Sequence, residues 1–462
     1  PSKERTPAVT QTPQTQREAW PVDEVTEAAV VELSGAAGEP EWLRDRRQEA
    51  FKAFADLDWP HHRVEEWRYT DPRRFDLSRA LSATAPPGVR PAEGAVGAAV
   101  RDPLGGSLRI VDGAVVSAGA SPQASARGVV VADLSVAAGQ HAEVVRRHLG
   151  SAAGHAEKFD ALNLAAFTGS AFVWVPDDVE LVEPVVVTVQ AASDGAWLPR
   201  VLVVVGAHAK ATVYVDHVGT AAATVVEAVE VVVGEGAEVH LVTAQEWGDR
   251  VDHVASHRGL VHANGDYRHL EVTIGGRTVY VRPDAKLDHP GGNAELLGVY
   301  FCSGERQVEH RSLIHHNASQ TTSELVYKGA LQGTSKATFF GNIRIAKHAR
   351  ATASDQTNRN LILTDGARAD SIPFLEISNS DVVRCGHHSS VGQVDELQLF
   401  YLESRGIPRD EALRLLVFGF FAEVIERIRL PGVTEAVLAQ IEREVRGGLP
   451  AAAPAPGPRE VG

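Results

Sequence analysis

A series of short β-forming runs decides the fold of this 462-residue chain, and it begins with FVWV at Phe172–Val175 and VVVTV at Val185–Val189. It continues with VLVVV at Val201–Val205, ATVYV at Ala211–Val215 and VEVVV at Val229–Val233. Similar runs recur about every 10 to 16 positions over roughly 200 residues, separated by Gly, Asn, Asp and polar turns. This pattern predicts an all-β body.

The number of strands indicates how that body is built. A β-sandwich of so many strands would exceed the usual size of that fold. A β-helix instead grows by adding coils, each of which buries its inward face against the next. The length of the series therefore favours a β-helix, and two stacked barrels are the alternative that periodicity alone leaves open.

Changes in composition predict five regions. Residues 1–20 are rich in Thr, Gln and Pro and are expected to form a disordered tail. Residues 21–98 are predicted to be a helical N-terminal region with a Pro-containing linker, followed by a β-helix core over 99–392. Helical spacing of apolar residues then returns, which predicts a helical domain at 393–447 and a flexible tail at 448–462.

Charge and motifs argue against several classes of function. The formal net charge of −15 disfavours nucleic acid as a partner. The sequence contains no apolar run long enough to span a membrane and no apolar signal segment, so we expect a cytoplasmic protein without a membrane partner. It also contains no GxxxxGK[ST] loop, HExxH helix or GxSxG elbow, which disfavours an ATPase or a familiar hydrolase.

Cysteine and histidine are the residues that could ligate a soft or borderline metal. The two cysteines, Cys302 and Cys385, are too few for a four-thiolate site within this chain. In RCGHHSSVG, Cys385 and His387 would share one face of a strand, and His388 would point the opposite way. A second histidine-bearing segment contains His310, His315 and His316. For an isolated histidine, a structural role is the alternative to metal binding.

The second predicted C-terminal helix carries two apolar stripes. The first stripe comprises Leu413, Leu416, Phe420 and Val424. The second stripe comprises Leu415, Phe418, Phe421 and Ile425. A surface helix needs only one such stripe, so the second is predicted to be covered either by more of this chain or by a partner.

Several motifs together resemble the SufB/SufD family of iron–sulfur cluster assembly scaffolds, most like its SufD members. They are EEWRYTD from Glu65, FDALNLA from Phe159, YKGALQG from Tyr327, NRNLILTDGARADSIPFLEI from Asn358, and RCGHHSSVGQVDELQLFYLESRGI from Arg384. The ordered series is more specific than any one motif. SufB carries a cysteine in the segment corresponding to TDGARADSIP, where this chain has Ala367, which favours SufD.

The resemblance implies a right-handed parallel β-helix flanked by helical N-terminal and C-terminal regions. It also implies a non-catalytic subunit that pairs with a SufB-like β-helix subunit and binds a SufC-like ABC ATPase. The residues implied for ATPase binding are those of the second apolar stripe, Leu415, Phe418, Phe421 and Ile425. Cys385 and His387 match the family's cysteine and histidine and become candidates for cluster or iron handling at the SufB interface, with His387 as a metal ligand.

The resemblance implies a cargo rather than a resident cofactor. We expect no cluster to bind stably to the chain alone, and we expect an iron–sulfur cluster to lie transiently at the interface with the SufB-like partner; flavin involvement stays open. The alternative function is that of a carbohydrate-active β-helix enzyme of polygalacturonase type. Its acid–base groups would come from Asp365, Asp370, Glu376 and Asp381.

Overall fold

The computed structural model describes residues 25–81, 92, 94, 98, 100, 103–427 and 433–448. The predicted N-terminal tail, most of the predicted linker and nearly all of the predicted C-terminal tail lie outside these residues. Within them, no helix is long and apolar enough to cross a membrane.

Most of the described chain is β-strand. The strands are β1 (Gly106–Val111), β2 (Ala114–Ala120), β3 (Val130–Asp133), β4 (Ser170–Val175), β5 (Val185–Ala191), β6 (Gly195–Trp197), β7 (Arg200–Val205), β8 (Lys210–Gly219), β9 (Ala223–Val233), β10 (Glu238–Trp247), β11 (Asp252–Val261), β12 (Asp266–Thr273), β13 (Thr278–Leu287), β14 (Asn293–Cys302), β15 (Gln307–His316), β16 (Thr322–Leu331), β17 (Lys336–Ile345), β18 (Thr352–Ile362), β19 (Arg368–Ile377) and β20 (Val382–Gln393).

Helices precede, interrupt and follow the strands. The α-helices are α1 (Glu27–Ala36), α2 (Glu41–Asp56), α3 (Pro122–Ala126), α4 (Leu134–Gln140), α5 (Ala142–His148), α6 (Lys158–Ala166), α7 (Glu396–Ser404), α8 (Arg409–Ile425) and α9 (Val433–Gly448). Short 3-10 turns lie at Glu65–Trp67 and Pro72–Arg74. Helices α3 to α6 fall inside the segment predicted as β-helix core, so that segment begins with a mixed α and β portion.

The strands form two facing sheets, and the chain passes alternately from one sheet to the other. From β7 onwards each even-numbered strand joins one sheet and each odd-numbered strand joins the other. Neighbouring strands within each sheet pair in parallel, except for the antiparallel pairs β1 with β2 and β3 with β4. This is a parallel β-helix flanked by helices, as predicted from the sequence.

Successive coils stack in register. Glu238 pairs with Asp266, Asp266 with Asn293, and Asn293 with Thr322, so these coils are 27 to 29 residues long. Equivalent positions therefore form columns of side chains that run along the solenoid. In one inward column the Tyr300 ring lies against Gly329, where a Cβ atom would come within 2.0 Å of that ring.

The N-terminal motif EEWRYTD fastens the first helical region to the solenoid. The Trp67 ring stacks on the Tyr280 ring with centroids 4.1 Å apart, and the Tyr280 hydroxyl donates to the Glu66 carbonyl. The Thr70 hydroxyl donates to Glu309 at 2.6 Å. This motif is therefore a clamp between an early segment and coils more than 200 residues later in the chain.

Candidate functional site

The C-terminal end of the β-helix is open. Strands β19 and β20 are the last strands of their sheets, and their outer edges pair with no other strand of the described residues. At the opposite end the terminal strands are β2 and β3, which pair antiparallel with β1 and β4 and contact each other, and α4 contacts β3 and β4; the outer edges of β2 and β3 also pair with no strand of the described residues. An unpaired sheet edge offers free backbone N–H and C=O groups to another strand.

Cys385 and His387 lie on the inward face of this last coil. Cys385 pairs with Ser354 of β18, and His387 pairs with Gln356. Ser354 and Gln356 are fully buried because β20 covers them, whereas Cys385 is half-buried and His387 is exposed. The structure thus places these two predicted residues together at the uncovered end of the solenoid interior.

His388 lies on the other face of β20. It pairs with Thr357, and its Nε2 atom lies 3.8 Å from Asp355 Oδ1. Partial burial, with a smaller contribution from the nearby Asp355 carboxylate, raises the pKa of the Cys385 thiol. In the chain alone, Cys385 therefore carries less thiolate at neutral pH than an ordinary cysteine, and a nearby cation would be needed to favour the nucleophilic or metal-binding form.

Apolar side chains accompany these residues at the open end. Ile377 of β19 is 43% exposed, and Val391 of β20 is 48% exposed. The residues that precede them in their columns, Ile345 and Asn360, are buried. The last coil therefore exposes to solvent side chains at positions that are buried in the preceding coil. Terminal repeats of a solenoid normally carry a polar outer face instead.

Comparison with known families agrees with this architecture. The model described as SUF system FeS cluster assembly, SufBD core domain, matches residues 187–420, and the SufBD protein N-terminal region matches residues 35–187. The chain belongs to the SufBD family. The two matches meet at residue 187, within β5, near the point where the regular parallel coils begin.

Curated relatives of this SufBD chain cover most of its length. An iron–sulfur cluster assembly SufBD family protein of Mycobacterium tuberculosis is 33% identical over 425 residues, covering 89% of this chain and 96% of the relative. A SufBD family protein of Mycobacterium leprae is 36% identical over 333 residues, covering 70% and 84%. The iron–sulfur cluster assembly protein SufD of Bacillus subtilis is 27% identical over 423 residues, covering 88% and 95%.

The structure divides the predicted partner-binding stripe of the SufBD chain into two parts. Phe421 and Ile425 are fully buried, and they pack with α9 and with the outer face of the even-numbered sheet. Their predicted partner-binding role is therefore corrected to one in the fold, because their own chain covers them. Leu415 is 40% exposed and Phe418 is half-buried, so these two remain accessible.

The other sequence-predicted candidates are scattered through the SufBD chain. Cys302 on β14 is separated from β20 by β16 and β18, a distance of about 14 Å across three strand spacings. Burial raises the pKa of its thiol to about 12, so it is an unreactive core residue. His310 is buried inside the solenoid, His316 is buried and contacts Thr321 and Ser323, and His315 is half-buried.

The carboxylates proposed for the alternative enzyme have ordinary roles. Asp370 accepts hydrogen bonds from Arg368, and Glu376 accepts one from Arg344. Asp365 and Asp381 are exposed in turns that follow β18 and β19. Arginine pairing at the surface and turn positions account for these acids without acid–base catalysis.

A group that sequence reasoning missed lies deep inside the β-helix. Two sets of imidazoles and carboxylates have atoms close enough to hold a metal ion, and both sets are fully buried. They are His217, Glu227 and His253, and His257, His269 and Glu271. A signal was available for two of these residues: His253 pairs with Val225 and Val279, and His269 pairs with Leu241 and Leu296, so each histidine interrupts an apolar inward column.

Proposed function

We propose that this chain is the SufD-type, non-catalytic subunit of a cytoplasmic iron–sulfur cluster assembly scaffold. In this proposal it pairs with a SufB-like β-helix subunit through the open coil and binds a SufC-like ATPase through its C-terminal helices. Membership of the SufBD family and the similarity to the B. subtilis SufD support the general assignment. Ala367, at the position of the SufB cysteine, favours the SufD role.

The observation that carries the proposal is the open end of the solenoid. At this end the apolar side chains of the last coil are exposed to water, and the outer edges of β19 and β20 are unpaired. A second β-helix of similar cross-section could continue both sheets, so that its backbone groups pair with β19 and β20. Burying Ile377 and Val391 would add hydrophobic stabilisation to that backbone pairing.

The same geometry accounts for cluster handling at an interface. Cys385 and His387 together offer one thiol and one imidazole, and a metal that they alone bound would be undercoordinated. A partner placed against β20 would supply the remaining ligands. We therefore infer that the cluster or its iron is held between the two subunits and that the isolated chain retains neither.

The C-terminal helices supply a separate surface for the ATPase. Three apolar side chains of α7, Leu397, Phe400 and Tyr401, are strongly exposed, and Leu415 of α8 is 40% exposed. Leu397 and Tyr401 are four residues apart and lie on one side of α7. These residues replace Phe421 and Ile425 as the proposed contacts, because they are exposed to solvent whereas Phe421 and Ile425 are buried.

Val391→Asp tests pairing at the open coil. The chain is co-expressed with a SufB-like and a SufC-like subunit and purified through a tag on this chain. The amount of each subunit that co-purifies is then measured. A carboxylate desolvated in an apolar contact costs several kcal/mol, so the SufB-like subunit should be lost. The matched control is Val116→Asp in β2, a valine 53% exposed at the opposite end, which should keep that subunit. Equal retention in both variants would contradict the proposed interface.

His387→Ala tests cluster handling separately from pairing. In the complete complex this change should reduce anaerobic cluster formation while the subunits stay associated. His388→Ala, on the opposite face of β20, should have a much smaller effect. Unchanged cluster formation by the His387→Ala complex would remove this residue from the proposed function.

A further inference from the structure

Three buried side chains inside the β-helix each carry one polar atom without a hydrogen bond. Among the described residues, His257 Nδ1, His269 Nδ1 and Glu271 Oε2 are inaccessible to solvent and accept or donate no hydrogen bond, and His257 Nδ1 and Glu271 Oε2 form only a long ion pair with each other at 3.8 Å. His257 comes from β11 in one sheet, and His269 and Glu271 come from β12 in the other. Each residue has one potential ligand atom within 4.8 Å of the other two. Buried polar atoms that remain unpaired destabilise a fold, so a bound ion that pairs with these atoms would stabilise it.

The second polar atom of each side chain is already held. The other nitrogen of His257, Nε2, lies 3.1 Å from Glu227 Oε2. His269 Nε2 lies 2.9 Å from the Thr243 hydroxyl oxygen, and Glu271 Oε1 accepts a hydrogen bond from the Gln245 amide at 2.7 Å. Contacts of this kind fix the ring orientation and tautomer of metal-binding histidines. They leave the orphaned atoms as the ligand atoms.

The distance between two of these atoms suits one small cation. His257 Nδ1 and Glu271 Oε2 lie 3.8 Å apart. A metal ion about 2.1 Å from both atoms can bridge any separation up to about 4.2 Å. Two imidazoles and one carboxylate form a donor set that suits divalent first-row transition metals such as Fe²⁺ and Zn²⁺.

We propose that His257, His269 and Glu271 bind one divalent transition-metal ion between the two sheets of the β-helix. The ion satisfies all three orphaned atoms at once and links consecutive strands of one coil. Because the site is enclosed, the ion enters while the coils close during folding, and it stays with the folded chain. This site is distinct from the open coil with Cys385 and His387 and needs no partner subunit.

The neighbouring group of His217, Glu227 and His253 is a weaker candidate. Both carboxylate oxygens of Glu227 already lie within 2.9 Å of His217 Nε2, and one of them also contacts His257. Glu227 is thus satisfied without a metal. It acts in the proposal as the acceptor that orients His257.

The test measures the metal content of the full-length chain expressed alone in medium supplemented with Zn²⁺. We expect about one zinc per chain after removal of loosely bound metal. Glu271→Gln and His269→Gln should reduce this content at least tenfold while circular dichroism shows the same β-structure. The matched control is His316→Gln, which changes a buried histidine whose two nitrogens contact Thr321 and Ser323. It should keep the zinc.

Cobalt gives an independent readout that does not depend on the variants folding. The wild-type chain grown with Co²⁺ should show the visible d–d bands of a nitrogen- and oxygen-ligated ion and no thiolate-to-metal charge-transfer band. A charge-transfer band would place the ion at a cysteine and overturn the proposal. It would also be overturned by a folded wild-type chain without bound metal, or by folded ligand variants that retain one zinc.

Discussion

Phe421→Ala distinguishes a core residue from a partner contact in the C-terminal helices. Phe421 is fully buried among Val417, Val424 and apolar residues of α9 and the even-numbered sheet. Removing a buried phenylalanine side chain costs about 3–5 kcal/mol through lost transfer free energy and the cavity that remains. The same truncation at Leu415, which is 40% exposed, should cost under about 0.5 kcal/mol.

Urea unfolding of the isolated full-length variants, followed by circular dichroism and by hydrogen exchange in α8 and α9, measures this difference. Phe421→Ala should lower the unfolding midpoint and the protection of both helices, since they pack on each other. Leu415→Ala should leave stability unchanged and weaken ATPase binding. A stable Phe421→Ala chain that loses only the ATPase would refute this account and return Phe421 to the interface.

Two further predictions concern the solenoid. Gly329→Ala places a Cβ atom 2.0 Å from the Tyr300 ring, so it should destabilise the chain by about 1–3 kcal/mol. The control is Gly392→Ala, whose Cβ atom would lie in open space and should leave stability unchanged. Thermal unfolding of the two variants measures the difference. Burial lowers the pKa of His316 to about 4, so the unfolded chain takes up this proton near pH 6.5 and the folded chain does so only near pH 4. Stability from this residue is therefore complete above about pH 6.5 and falls by about 2 kcal/mol at pH 5. His316→Gln should lose correspondingly less stability between pH 7.5 and pH 5 in urea titrations.

Local patterns in the sequence were sufficient to predict the strands and the face of the strand on which the candidate site residues lie. Runs such as VLVVV and their polar turns predict the coils, and two-residue alternation places Cys385 and His387 on one face of β20. These features depend on residues close together in sequence. The amphipathic segments after Gly392 likewise predict the helices that the structure contains.

Features that depend on contacts between distant residues could not be obtained in this way. Two apolar stripes on α8 are visible in the sequence, but which stripe the chain itself covers depends on α9 and on strands β14 and β16, which lie far earlier in the chain. Likewise, His257 and Glu271 meet only because β11 and β12 face each other across the interior. Finding that group required knowing how one coil places β11 opposite β12, which composition and spacing alone do not provide.

Hydrogen exchange across the open coil tests the central claim most directly. The measurement compares the backbone amides of β19 and β20 in the isolated chain with those in a mixture containing the SufB-like partner. If the partner continues both sheets, these amides should become protected while those of β2, at the opposite end, exchange unchanged. A stable complex in which β19 and β20 exchange as fast as in the isolated chain would contradict the account.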